Sequence, residues 1–343
     1  MTATVLRSGS RLSMRVRRRS VVVVTAALLA VVVVGVLALT LGTTGIAPAR
    51  LLPVMFGAGE GRETIVYGVL RGPRLFVGIA AGAAFGVAGA LLQTVTRNPL
   101  GSPDVIGLTG GASAGAAAVA LVWPGVLPVP LGALLGALVA VGLVWLGSGR
   151  GFASPSRMLI VGIGVAAMSL AFVQYALTQA RVEAATILAT YLNGSLQSRS
   201  WDHAAIIWVA IAVLLPLTLL LSRRLQLLEM GDELADALGA RSTQARSWAV
   251  LASIALCTAA VSVVGPVAFI ALTAPQIARR LTRAAGPNLV ASAALGAVLL
   301  VLADLLTQQL PIGVQLPVGI MTAAIGGIYL GWLLVLEWKK GTL

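Results

Sequence analysis

The sequence predicts an all-α polytopic membrane protein of about ten transmembrane helices. Its 343 residues are 58% hydrophobic and only 10% charged, with a mean hydropathy of +0.98. Apolar runs near the roughly 20 residues that a bilayer crossing needs recur along the chain, separated by short polar gaps. The 24 basic residues gather in those gaps and at the termini, which is the pattern of topology signals. The 39 glycines suit close helix packing in lipid.

Residues 1–19 form a basic segment with six arginines between positions 7 and 19, and 20–343 form a single transmembrane domain. The first apolar core, about 22 residues, exceeds the 7–15 of a secretory h-region and reads as a retained helix. The predicted spans are 20–42, 74–95, 105–123, 128–147, 157–178, 203–222, 245–263, 266–283, 288–309 and 316–337. Between the fifth and sixth, 181–199 reads as a short non-spanning helix and a turn at Asn193-Gly194. In the second span Gly78, Gly82 and Gly86 fall every four residues on one face, flanked by Ala81, Ala84 and Ala88. Such a face lets another backbone approach, as packing at the bundle centre and as a border of a pathway. Gln93 and Thr94 extend that helix as neutral polar residues able to line a path.

Several function classes are excluded. Cys257 is the only cysteine, so there is no disulfide within the chain and no cysteine cluster for a metal. His203 follows Trp201 and Asp202 at the start of a span and reads as an interfacial residue. No G-x-x-x-x-G-K-[ST] occurs, so the chain carries no P-loop. No carboxylate, histidine or cysteine cluster supports an enzyme, and no soluble domain exists to bind nucleic acid. With the N-terminus in the cytoplasm, 18 of the 24 basic residues fall inside and six outside, which agrees with the positive-inside rule and puts both termini in the cytoplasm.

One stretch breaks the apolar pattern. In "LLEMGDELADALGARST" four of the chain's eleven acids, Glu229, Asp232, Glu233 and Asp236, fall within eight positions. Gly231-Asp232 can start a helix, with Asp232 and Glu233 in the first turn favourable to its dipole. Gly239 can stop it. Leu234 and Leu238 share one face, with Ala235 alongside. A helix this short is marginal in water alone, so it packs on its own bundle or plugs into a cytoplasmic partner.

The pattern of Gly231, Asp232, Ala235, Leu238 and Gly239 resembles the coupling helix of the iron-siderophore and cobalamin permease family of ABC importers. The resemblance runs through "RNPLGSPDVIGLTGGASAGA" (97–116), with Asn98 and Pro99 in the family's Asn-Pro-Leu loop, then "GPVAFIALTAPQIARRL" (265–281), "ALGAVLLVLADLL" (294–306) and "LPVGIMTAAIGG" (316–327), in family order. It implies a permease subunit of type II ABC importer architecture in the bacterial cytoplasmic membrane. Two ATP-binding subunits would dock on 229–240 from the cytoplasm, holding ATP and magnesium, so this chain is not itself an enzyme. An extracytoplasmic binding protein would deliver a ferric siderophore, and a second permease completes the pair. It also implies that Arg71 and Arg74 face outward, exposed, and pair with glutamates of the binding protein. Charges frequent in the family are replaced here by Gln308 and Gln315, and a histidine by Gln276. This pattern is most similar to the second permease of ferric-enterobactin systems, which pair with a paralogue. Cobalamin or haem permeases of the same family are the alternative. An ion-coupled secondary transporter would need more intramembrane carboxylates than Asp304, which reads as a structural residue near the outer end of span nine.

Overall fold

The computed structural model describes residues 3–8, 12–42, 44–122, 126–149, 152, 154–180, 182–310 and 316–339. A two-stranded antiparallel hairpin, β1 (Ala3–Ser8) and β2 (Leu12–Arg17), leads into α1 (Arg18–Thr40). The helices α2 (Pro48–Met55) and α3 (Arg62–Ile65) precede a π-helical turn, Val66–Arg71, which runs into α4 (Gly72–Thr96). A 3₁₀ turn, Pro103–Ile106, introduces α5 (Leu108–Val122), followed by α6 (Val129–Gly147), α7 (Pro155–Gln179) and α8 (Val182–Leu192). Then come α9 (Trp201–Leu228), α10 (Asp232–Ala237), α11 (Ser242–Val264), α12 (Ile270–Thr282), α13 (Leu289–Gln309) and α14 (Val318–Lys339).

Among the described residues seven helices are long and apolar enough to cross a membrane, α5 and α14 are shorter apolar helices, and the 13-residue α12 lies between α11 and α13. Counted with α12, these are roughly the ten passages expected; α3 runs continuously into the passage of α4, while α2, α8 and α10 are too short to cross. Two differ from expectation. The third is a 15-residue helix reached through the 3₁₀ turn, where a helix from 105 is expected. The eighth, expected over 266–283, is helical for only 13 residues, about 20 Å. Gly265 at φ 82° and Phe269 in the left-handed region hold 265–269 out of helix. Hydropathy sums composition over a window and is blind to such a break.

The centre of the bundle is α4. In its most apolar window 78% is buried, against 22% for α1, α7 and α9, whose free faces meet lipid. The reason is the glycine face. A Cβ on Gly82 would overlap the Gly296 carbonyl, and one on Gly86 the Ser292 carbonyl, so α4 and α13 are in backbone contact. A Cβ on Gly78 would lie 3.2 Å from the Leu196 side chain. The pair α5 and α6 repeats the device through Gly111, Gly115, Gly132 and Gly136.

Replacing Gly86 with valine is expected to destabilise the detergent-solubilised chain by about 3 kcal/mol or prevent folding, because backbone cannot yield as a flexible side chain can. Gly327, with open space around its Cβ position, is the control: Gly327→Ala is expected to leave the thermal unfolding midpoint unchanged.

Candidate coupling site at one end of the bundle

The short acidic helix is one and a half turns long, shorter than the 229–240 of expectation. Positive φ values at Gly231 and Gly239 bracket it. Its end is a complete Schellman motif: Ala240 N–H donates to the Ala235 carbonyl at 2.9 Å and Gly239 N–H to the Asp236 carbonyl at 2.9 Å. Ala235 is fully buried against the bundle, while Met230, Leu234 and Leu238 are 61%, 44% and 57% exposed. Glu233, Asp236 and Gly239 are exposed as well.

The acids divide between two tasks, and sequence alone did not separate them. Asp232 turns inward: Arg246 Nη2 donates to both its oxygens at 2.7 Å, and Arg97 Nη2 donates to Oδ1. The Arg246 hydrogen bond foremost holds this carboxyl below its ordinary range, so it stays ionised. Asp236 accepts from Ser242 N at 2.6 Å and Ser242 Oγ at 2.8 Å, closing the first turn of α11, and these bonds lower its pKa too. Glu229 accepts from Gly286 N at 3.0 Å, in the turn between α12 and α13. Glu233 has no such bond among the described residues.

Arg97 joins this cluster to the central helix. It is the left-handed C-cap of α4, and its Nε donates to the Leu228 carbonyl at the end of α9 at 2.8 Å. One turn back, Gln93 donates from Nε2 to Leu272 O at 3.0 Å and accepts on Oε1 from Gln276 at 2.9 Å and Arg279 at 2.8 Å. Gln276 also donates to Pro99 O, and Asn98 Oδ1 accepts from Leu100 N in a tight turn. A cavity of about 290 Å³ opens here, lined by Gln93, Thr94, Arg97, Pro99, Glu229 and Arg279. The sequence expectation singled out Gln93, Thr94, Asn98 and Pro99 but missed Arg97 and Arg246. An arginine at the start of an apolar run was the available signal for Arg246, whose side chain is 7% exposed in the fold.

The opposite end corrects an expectation. Arg74 is not free in solution: its side chain is 17% exposed and forks onto Asp304, itself 6% exposed, with Nη2–Oδ1 at 2.7 Å and Nε–Oδ2 at 2.9 Å. Gln308 Nε2 adds a bond to Asp304 at 2.8 Å. Arg71 is half-buried and donates to the carbonyls of Ala38 and Leu41 and to Thr44 Oγ1, closing the end of α1. The physical reason is desolvation: a carboxylate set in an apolar helix demands the nearest cation. Gln315 lies outside the described residues. At this end a second cavity of about 650 Å³, lined by neutral residues including Leu177, Ala189, Asn193 and Pro317, opens between α7, α8 and α14.

Known proteins resemble this chain throughout. The model of the FecCD transport family matches residues 27–336. The ferric enterobactin transport system permease protein FepG of Escherichia coli is 39% identical over 91% of this chain and 94% of its own length. The Fe(3+)-citrate import system permease protein YfmE of Bacillus subtilis is 36% identical over 90% and 93%. A metal-chelate type ABC transporter solved in an inward-facing conformation shares the fold, with a TM-score of 0.80 at 23% identity over 92% of this chain and 99% of that one.

Arg74→Ala is expected to cost about 3 kcal/mol by stranding Asp304, read as a lowered unfolding midpoint in detergent. Arg74→Ala with Asp304→Ala is expected to recover much of the loss, since no buried charge then remains.

Proposed function

The chain belongs to the FecCD transport family, and we propose that it is the transmembrane subunit of an ATP-driven importer of ferric siderophores. It is a multi-pass membrane protein and a permease component, not the ATP-hydrolysing subunit. Supporting the cargo are the relatives named for ferric enterobactin and ferric citrate. The wide, neutral cavity at the Arg74 end fits a bulky chelate better than a small ion, whose site would need fixed charge.

The observation that carries the mechanism is the split of the acidic segment. Asp232, Asp236 and Glu229 tie the loop to α4, α11 and the α12–α13 turn, while Met230, Leu234 and Leu238 stand out as an apolar knob. A knob held this way suits a groove of a cytoplasmic ATP-binding subunit. Positive charges predominate on this side by the topology count, which supports a cytoplasmic location for it and for both termini. Movement of the knob would reach α4 through Asp232 and Arg97 and the path through Gln93. The extracytoplasmic binding protein would dock over the other end. There Arg71 keeps partial exposure, whereas any carboxylate seeking Arg74 must compete with Asp304. The second permease is then a paralogue that supplies the docking charge this chain lacks at Gln308 and Gln315, with small residues at the shared seam. If instead two copies of this chain and two ATPases, without another permease, form a complex active in transport, the paralogue proposal fails.

Leu234→Asp with Leu238→Asp is expected to abolish ATPase association while leaving membrane insertion intact. Arg97→Gln is expected to leave that association and ATP hydrolysis in place and lower uptake of a radiolabelled ferric siderophore at least tenfold. Unchanged uptake in the Arg97 variant would remove α4 from the coupling route.

A further inference from the structure

The cavity of about 290 Å³ at the α10 end lies between the ends of α4, α9 and α12. It is large enough for several waters or for one polar side chain. Its wall carries two guanidinium groups, Arg97 and Arg279, and one carboxylate, Glu229. Arg97 is answered by Asp232 and by the Leu228 carbonyl. Glu229 is held by Gly286 N at 3.0 Å. Arg279 is half-buried in the last turn of α12. Among the described residues it makes one hydrogen bond, from Nη2 to the neutral Gln93 Oε1 at 2.8 Å. None of the four ion pairs among those residues includes it, and its Nε is buried with no hydrogen-bond partner.

A guanidinium drawn out of water regains its solvation only from an opposite charge and from acceptors for its N–H groups. The Gln93 amide supplies one acceptor and no charge. Unused donors outnumber unused acceptors on this wall: Arg279 keeps Nε and Nη1 and Arg97 keeps Nη1, against the second oxygen of Glu229. The occupant that completes the wall is therefore an acceptor carrying negative charge. Its source follows from the position of the cavity. Arg97 grips Asp232 at the start of α10, and Glu229 leads into the turn before α10, so the cavity is continuous with the apolar knob. A partner seated on Met230, Leu234 and Leu238 stands beside its mouth. Ala285, on the same wall, is exposed, so a side chain can enter there without displacing a helix.

We propose that this cavity receives an aspartate or glutamate side chain of the cytoplasmic ATP-binding subunit, which pairs with Arg279 and extends the contact from α10 to the end of α12. The inference rests on the docking of that subunit on α10, and its test separates the two. The complete importer is reconstituted in phosphatidylcholine vesicles, the ATP-binding subunit is stripped off, and its rebinding is measured against salt concentration. Arg279→Gln is expected to weaken rebinding roughly tenfold and to flatten its salt dependence, and Arg279→Lys to keep most of the affinity. Ala285→Glu leaves the bonds of Arg279 and Gln93 in place and fills the cavity with a carboxylate from within the chain. It is expected to weaken rebinding to a similar degree, and Ala285→Gln to leave it unchanged. Ala285→Lys treated with a carbodiimide gives a direct reading: the introduced amine attacks the activated carboxyl, an amide forms and the urea leaves. Mass spectrometry of the joined peptides is expected to identify an acidic residue of the ATP-binding subunit. Unchanged rebinding in either Arg279→Gln or Ala285→Glu, while Leu234→Asp with Leu238→Asp still abolishes it, overturns the cavity proposal and leaves the docking standing. Equal weakening by Ala285→Gln overturns it too, since bulk and not charge is then at work. Amide formation with Glu229 alone overturns it in favour of a contact within the chain. Undiminished rebinding of the leucine variant overturns the docking on α10 instead.

Discussion

Asp304 sits 4% exposed in an apolar helix, and the packing of the central helix follows from what that carboxylate requires. In a bilayer a buried charge must be paired within the protein. Arg74, at the start of α4, provides two parallel hydrogen bonds, and Gln308 provides a third. Such a fork fixes both the distance and the rotation of α4 relative to α13. That rotation in turn points Gly82 and Gly86 at the α13 backbone, an approach too close for any Cβ. Ion pair and glycine face thus specify the same register from two independent directions, a consistency between levels that favours a single packing.

The other end of α4 is held by different physics. Arg97 and Asp232 are 40% and 44% exposed, so solvent screens their attraction and the pair contributes little to stability. Its value is geometric: with Arg246 it gives the Asp232 carboxylate two cationic partners on two different helices. The central helix is therefore anchored firmly at the Arg74 end and lightly at the α10 end. Under the proposed docking of an ATP-binding subunit on α10, a force applied there would act on the more lightly held end of α4.

Much of this was legible in the sequence. Length and hydropathy of the runs gave the passages, because burial in lipid imposes a minimum apolar length. The helix stop at Gly239 followed from its φ requirement, and the split of the segment 181–199 into a short helix and a turn followed from Asn193-Gly194. What was not legible depended on pairing across distance. Arg74 and Asp304 are 230 positions apart, and nothing local to either names the other, so Arg74 read as an exposed charge. Arg97 read as one more topology signal for the same reason. His203, read as an interfacial residue, also closes a capping box with Ser200 at the start of α9, its Nδ1 accepting from Ser200 N at 3.2 Å. That box was concealed because histidine stands where glutamate is usual.

The broken eighth passage shows how the same constraint shapes a segment with no charge at all. Ending α11 at Val264 leaves its last carbonyls, those of Val263 and Val264 among them, short of intrahelical donors. The donors come from the connection between α8 and α9. Tyr191 Oη donates to Val261 O at 2.8 Å, Arg199 Nη1 to Val263 O at 2.7 Å, and Ser195 N to Val264 O at 2.8 Å. Gly194 is needed for the approach, since a Cβ there would lie 2.5 Å from the Pro266 carbonyl. The Gly194 carbonyl then accepts from Gly319 N at 3.2 Å, drawing in the start of α14. The non-spanning helix α8 is therefore more than a link between passages. With the residues that follow it, α8 supplies donors to the Val263 and Val264 carbonyls at the end of α11 and a second donor to the Val261 carbonyl, and it leaves 265–269 beside the start of α14, next to the neutral cavity bordered by Asn193 and Pro317. Unwound backbone at membrane depth is tolerated where it is buried in protein or lines a water-filled path, and this segment meets that condition through α8.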